Sequence, residues 1–328
     1  MLLIILLVVV GGVGYYVSSS FYPSPSSPEK IFTIGVITNP PSLNPAWDGF
    51  RQAMKTQGYE EQKNVRYIVE PGGKDVQAAK EVAERMIAQN VDAFYVMGSI
   101  AVRGAKEATA EQKPMLPVVF GIVSNPIGGK LVASMQSSGN NLTGVTPLNE
   151  IINSKRLEIF LEMIPGTKRI IAGWSDPNTT GIGNLRNAAK TLGVEMVDKQ
   201  VADASELKVF YSSFPFQPGD AIFRGSDSAS GVTIKDVIAI SLEKKIPLSG
   251  TNSNDIELGA LMSYGANFMK IGAQAARLMD SVLKGVKPSE LPIELPEEFE
   301  FVINAQTARL LGLTIPPGVL DKANRVLR

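Results

Sequence analysis

The octapeptide Asp92-Ala93-Phe94-Tyr95-Val96-Met97-Gly98-Ser99 decides the fold class. A near-continuous apolar run closed by a Gly-Ser turn fits a parallel-sheet strand covered by helices on both faces. A second run, Asp220-Ala221-Ile222-Phe223, ends after Arg224 in Gly225-Ser226. Each run is trailed by a helical pattern and then by a Pro-led strand, at Pro117 and at Pro247. Duplication of one α/β half explains this echo. So does chance, because Asp and Ala commonly open buried strands.

Outward from these runs, β-branched stretches alternate with amphipathic ones. Strands are expected at Ile34 to Thr38, Val65 to Glu70, Ala93 to Met97, Pro117 to Phe120, Arg169 to Trp174, Ala221 to Arg224 and Gly259 to Tyr264. Helices are expected at Ala46 to Gln57 and Val76 to Gln89. That rhythm predicts βαβ units and parallel sheets. At 328 residues the chain has room for two α/β lobes with separate cores, and so for a cleft between them.

Lysine plus arginine equals aspartate plus glutamate at 32 each, so the charge footprint of a nucleic-acid binder is missing. The chain has neither histidine nor cysteine. That removes Ser-His-Asp and Cys-His nucleophiles, the usual zinc sites and disulfides. Carboxylate, lysine or tyrosine chemistry stays open. Gly128-Gly129-Lys130 looks like the end of a phosphate loop, but Leu131 stands where Ser or Thr is required and Ser124 where the first glycine belongs. No dinucleotide fingerprint is present either, and no cofactor is expected.

From Leu2 to Val17 the chain is apolar, glycine or aromatic, and the first charged side chain is Glu29. As a helix this stretch spans roughly 25 Å, short of a hydrocarbon core of about 30 Å. It reads as a short anchor or a signal segment, although no Lys or Arg precedes it. A buried core helix is the competing reading. Ser18 to Pro28 reads as an extended tether.

In open parallel sheets, ligands bind beyond the carboxyl ends of the strands. The loops there are Thr38 to Pro45, which holds Ser42, then Gly98 to Val102, Gly121 to Gly129, Ser175 to Gly181, Gly225 to Gly231 and Gly250 to Asp255. Their Gly, Ser, Thr and Asn residues suit a small polar ligand, and equally serve as helix caps. Asp227, in a Gly-Ser-Asp-Ser-Ala-Ser run, is placed to pair with a ligand ammonium or to cap a helix. Arg224 either holds a carboxylate or snorkels from an edge strand. Trp47 and Tyr264 lie close enough to these loops for a ring to stack on a ligand, though core or rim packing is the default.

The order and spacing of several short motifs resemble the substrate-binding proteins of ABC transporters, of the type I periplasmic binding protein fold. They are Ile34-Gly35-Val36-Ile37, Phe50-Arg51-Gln52-Ala53, Gly58-Tyr59, Pro117-Val118-Val119-Phe120, Asn125-Pro126 with Gly129-Lys130-Leu131-Val132, and Asn141-Leu142-Thr143-Gly144-Val145. Further on come Lys155-Arg156-Leu157-Glu158, Gly259-Ala260-Leu261, Ser263-Tyr264-Gly265, Val302-Ile303-Asn304 and the closing Leu311 to Pro316. The resemblance runs from Ile31 to Arg328. It implies two Rossmann-like lobes joined by three crossover hinge strands, closing on a solute and docking on a permease; characterised relatives bind aromatic or other amino acids. By position, the ligand loops correspond to Gly98-Ser99, Ser124-Asn125-Pro126, Ser175 to Thr179 with Asn178, and Ser226-Asp227. Arg224 and Gly225 depart from the pattern, which carries an apolar residue and a proline there, and no lipobox cysteine is present.

The expected division is a signal or anchor over 1–17, a tether over 18–30, a first lobe of 31–145 plus 265–292, and a second lobe of 146–264 plus 293–328. The expected function is extracytoplasmic capture of a small polar solute, an amino acid or related carboxylate, for an ABC permease, with the N-terminal segment at the membrane and no nucleic-acid partner. Asp227 is expected to hold an ammonium, and Ser99, Ser124 and Thr179, with helix N-termini and Arg224, a carboxylate. An extracellular sensing domain and an enzyme working through Asp176 and Asp227 are the alternatives.

Overall fold

Alternation of buried strands and helices builds two sheets. The computed structural model describes residues 30–38, 41–147, 149–176 and 181–328, so the expected anchor and all of the expected tether but Lys30 lie outside the described residues. Strands β1 (Phe32–Thr38), β2 (Val65–Pro71), β3 (Ala93–Met97), β4 (Val118–Gly121) and β5 (Leu142–Val145) come first. They are followed by β6 (Arg169–Trp174), β7 (Glu195–Gln200), β8 (Asp220–Phe223), β9 (Leu248–Gly250) and β10 (Met262–Ala266), then β11 (Ile293–Glu294), β12 (Phe299–Asn304) and β13 (Arg325–Leu327). One sheet has the order β11-β5-β4-β3-β1-β2 and the other β13-β12-β10-β9-β8-β6-β7. Pairing is parallel except between β10 and β12, which run antiparallel.

The echo between Asp92 and Asp220 has a structural counterpart. Strands β2, β1, β3, β4 and β5 follow the same order as β7, β6, β8, β9 and β10. Phe94 N–H donates to Pro117 O at 2.9 Å, and Ile222 N–H, its counterpart, to Pro247 O at 2.8 Å. Each leading aspartate ties down the first strand of its own sheet. Asp92 accepts the Thr33 N–H at 2.7 Å, and Asp220 accepts Arg169 Nε and Nη2 at 2.7 and 2.6 Å.

Burial explains why the central strands are apolar throughout. Tyr95 and Met97 pack into one hydrophobic cluster and Phe94 and Val96 into another, on opposite faces of the first sheet. Ala221 and Phe223 are likewise separated from Ile222 in the second. This is the period-2 alternation of a strand with both faces covered. The edge strands β2 and β7 carry exposed and half-buried positions instead.

The chain crosses between the sheets three times: after β5 into the helix Asn149–Met163, after β10 into the helix Phe268–Leu283, and between β11 and β12. The first-sheet side of the second crossing is rigid. A Cβ on Gly49 would sit 2.0 Å from Met269 O, and one on Gly272 would sit 2.0 Å from Ala46 O. These two glycines let the helix Asn44–Thr56 touch Phe268–Leu283 backbone to backbone. Phe32–Arg328 forms one compact unit. Two expected lobe limits shift. Gly265 and Ala266 stay in β10 of the second sheet, and Ile293 and Glu294 pair with β5 of the first.

Candidate functional site

The carboxyl ends of the parallel strands in both sheets open onto one cleft. The space between its walls is about 800 Å³ when open solvent is counted. From the first lobe it is lined by Ser42, Leu43, Gly98, Ser99, Ile100, Ile122 and Ser124. The crossovers contribute Pro147 and Phe268, and the end of β10 contributes Ala266. The second lobe adds Ser175, Asp176, Arg224, Ser226, Asp227, Ser228, Gly231, Thr251 and Asn252. The lobes approach each other where Pro41–Leu43 faces the helix Ser228–Val232.

The first-lobe wall begins where β3 ends. Gly98 has φ +86°, which glycine tolerates, and its carbonyl accepts the Val102 N–H at 3.0 Å to start the helix Ser99–Thr109. Ile122, after β4, sits in the left-handed region at φ +59° while its N–H donates to Val145 O at 3.1 Å. A β-branched residue there is strained, and such strain clusters at ligand sites.

The second-lobe wall is polar and tightly wired. Asp227 caps the helix Ser228–Val232 by accepting the Ser230 N–H at 2.8 Å, and its other oxygen accepts the Ser175 N–H at 2.6 Å. Beneath it, Arg224 is buried, and the structure replaces the snorkelling reading of this residue. Its Nη1 donates to Asp255 at 2.8 Å and to the Thr251 hydroxyl, and its Nε to Ser230 O at 3.2 Å. It neither snorkels nor sits on an edge strand. One face of its guanidinium is committed to an ion pair, although it still lines the cleft.

Arg156 supports this floor from the helix Asn149–Met163. Only 1% exposed, it stacks over the Phe223 ring with 4.1 Å to the centroid. Its Nη2 donates to Arg224 O at 2.6 Å and its Nη1 to Gly250 O at 3.1 Å. The ends of β8 and β9 are therefore pinned by one side chain. Burial, with the Arg224 charge adding, pushes its guanidinium pKa down, while Asp255 opposes the shift.

Seven sequence candidates line the cleft: Ser42, Gly98, Ser99, Ser124, Arg224, Ser226 and Asp227. Asn178 and Thr179 lie outside the described residues. Asn125, Pro126 and Tyr264 are not among the lining residues. Asn125 Oδ1 is occupied by the Gly128 N–H at 2.8 Å, and Tyr264 stacks on Phe299 with ring centroids 6.2 Å apart. Trp47 packs on Phe50 and Tyr67 instead of the cleft. The apolar lining residues Leu43, Ile100, Ile122 and Phe268 were missed because an apolar residue near a strand end reads as core. Among the described residues, no group of three acidic side chains is arranged to hold a metal.

A tyrosine-binding protein of Clostridioides difficile is 25% identical over 291 residues, covering 88% of this chain and 82% of that protein. Among solved structures, a conserved domain protein from Vibrio cholerae superposes with a TM-score of 0.81 at 24% identity, covering 91% of this chain and 99% of that one. An ABC domain from Streptococcus pneumonia in complex with L-Trp superposes with a TM-score of 0.79 at 24% identity, covering 91% and 100%. The fold is that of type I periplasmic binding proteins. Residues 31–327 match the family model described as ABC transporter substrate binding protein, and the chain belongs to that family of solute-binding proteins.

Proposed function

We propose that the chain captures one amino acid, or a closely related carboxylate, between its lobes and delivers it unchanged to an ABC permease outside the cytoplasm, with the N-terminal segment directing it to the membrane. The observation that carries this reading is the cleft itself: loops from both sheets converge on it, and its ionisable lining residues, Asp176, Arg224 and Asp227, all come from the second lobe. Asp227 is positioned to accept an ammonium, since two backbone bonds leave a carboxylate with further acceptor sites. Ser99 and Ser124 line the cleft and would meet a carboxylate through their hydroxyls, while Leu43, Ile100, Ile122 and Phe268 would meet an uncharged side chain. Relatives named for tyrosine and solved with L-Trp support the amino-acid class.

The test is a thermal-shift screen of the purified protein against the common amino acids, with sugars and polyols as controls. A specific solute at a hundredfold excess over its Kd adds about 2.7 kcal/mol of stability. The hit is then incubated with the protein and recovered; quantitative return of the unaltered compound supports capture, whereas conversion to product favours the enzyme.

A further inference from the structure

The crossovers are tied to one another by hydrogen bonds, and one buried side chain sits among them. Gln274, on the helix Phe268–Leu283, is 6% exposed. Its Nε2, also 3.4 Å from the acceptor Glu294 Oε2, donates to Leu295 O at 3.0 Å, and its Oε1 accepts the Glu297 N–H at 3.1 Å. Both partners lie on the crossing from β11 to β12, on either side of the buried Pro296. The same crossing is bonded to the first through Thr146 N–H to Glu294 O at 2.9 Å. It is bonded to the second through Asn267 Nδ2 to Glu300 Oε2 at 3.3 Å.

We infer that Gln274 is a positioning residue for solute capture, a bracket on the third crossover that favours the arrangement in which the lobes face each other closely. A hinge turns by changing φ and ψ at a few residues. Rotation anywhere between Leu295 and Glu297 moves one of the two backbone groups away from a side chain that cannot follow, because Gln274 is buried and Gly272 holds its helix against Ala46. Opening therefore breaks at least one of these bonds. The same helix starts at Phe268 in the cleft wall, so a side chain lining the proposed solute site and the bracket on the hinge belong to one helix. Arg277 to Glu294 at 2.6 Å and Lys270 to Glu298 at 3.0 Å flank the bracket at the surface.

The inference rests on the proposed solute site only in its binding arm. Gln274→Met keeps the length of the side chain and removes both bonds. Small-angle scattering without solute reads the lobe separation, and calorimetry with the best amino acid from the screen reads affinity. The expected result is a larger radius of gyration without solute, with affinity weaker by roughly threefold to thirtyfold because less of the protein is binding-competent. Gln274→Asn, one methylene too short to hold both backbone groups and adding no charge beside Glu294, is expected to open the protein as well, and it decides the matter if the Met variant does not fold. A radius of gyration equal to that of the parent, or an affinity unchanged or tighter, overturns the inference. If no amino acid binds the parent, the solute class fails while the scattering comparison still judges Gln274.

Discussion

The Asp227 carboxylate accepts the backbone N–H of Ser175 at 2.6 Å, joining the loop after β8 to the loop after β6. Its other oxygen is held by Ser230 N–H at 2.8 Å, so its position on the cleft wall is set by backbone groups alone. Asp227→Asn keeps an oxygen for the cap, removes the charge and gives up the bond from the Ser175 N–H. A hydrogen bond to a charged group contributes about 1.5–3 kcal/mol, so amino-acid affinity should fall roughly ten- to hundredfold in calorimetry. Asp227→Ala should in addition lose about 1 kcal/mol of folding stability with the cap. Unchanged affinity in both variants removes the ammonium role.

Arg156 should matter to stability before it matters to binding. Arg156→Met leaves the carbonyls of Arg224 and Gly250 without their donor and retains the apolar stem over Phe223. Each buried carbonyl left without its donor costs about 1–3 kcal/mol, read from the midpoint of urea unfolding. A shift worth less than about 0.5 kcal/mol contradicts the description of the cleft floor as pinned.

Three glycine substitutions separate close packing from backbone freedom. Gly49→Ala and Gly272→Ala push a methyl group against the facing helix backbone and should each destabilise by about 1–3 kcal/mol or more. Gly183, on the helix Ile182–Thr191, is exposed and a Cβ there meets nothing within 4 Å. Gly183→Ala should stabilise by about 0.4–1 kcal/mol. Thermal melts of the three variants side by side give the comparison.

The central strands were legible because burial on both faces leaves no polar position to confuse the pattern, as Phe94 to Met97 and Ala221 to Phe223 show. Strand β11 was not, since two residues between prolines carry no period at all. The Arg224–Asp255 pair joins residues 31 positions apart, and only the pairing of β8 with β9 brings their loops together. Polar composition singled out loops that do face the cleft, yet within a loop it cannot tell Ser124 from Asn125, whose side chain is turned onto Gly128. Phe268 carried one usable signal: it opens a helix directly after Gly265-Ala266-Asn267, where the chain changes lobes.

Stability should fall at both ends of the pH scale for separate reasons. Burial pushes the Asp220 carboxyl up, but the Arg169 and Gln217 hydrogen bonds outweigh it and hold the group below the usual range; Asp198 is held down likewise against burial by Arg186 and Trp174. A depressed carboxyl contributes above its unfolded pKa of about 3.9, and the contribution is lost as pH falls through the folded value. Burial and Asp280 push the Tyr59 phenol up to about 12, so its contribution is intact below about pH 10 and lost as pH rises from there. Urea midpoints across pH should therefore plateau in the neutral range. Asp220→Asn should flatten part of the acid limb and Tyr59→Phe part of the alkaline limb; parent-like limbs in both variants refute these assignments.

Calorimetric titration of the purified protein with L-tyrosine, L-tryptophan and the remaining amino acids tests most directly whether the cleft is an amino-acid trap. Saturable binding of one solute per chain, weakened by Asp227→Asn and accompanied by a smaller radius of gyration, is the predicted result. A folded protein that takes up none of them at millimolar concentration, or that binds one with Asp227→Asn as tightly as without it, would contradict the assignment of this site.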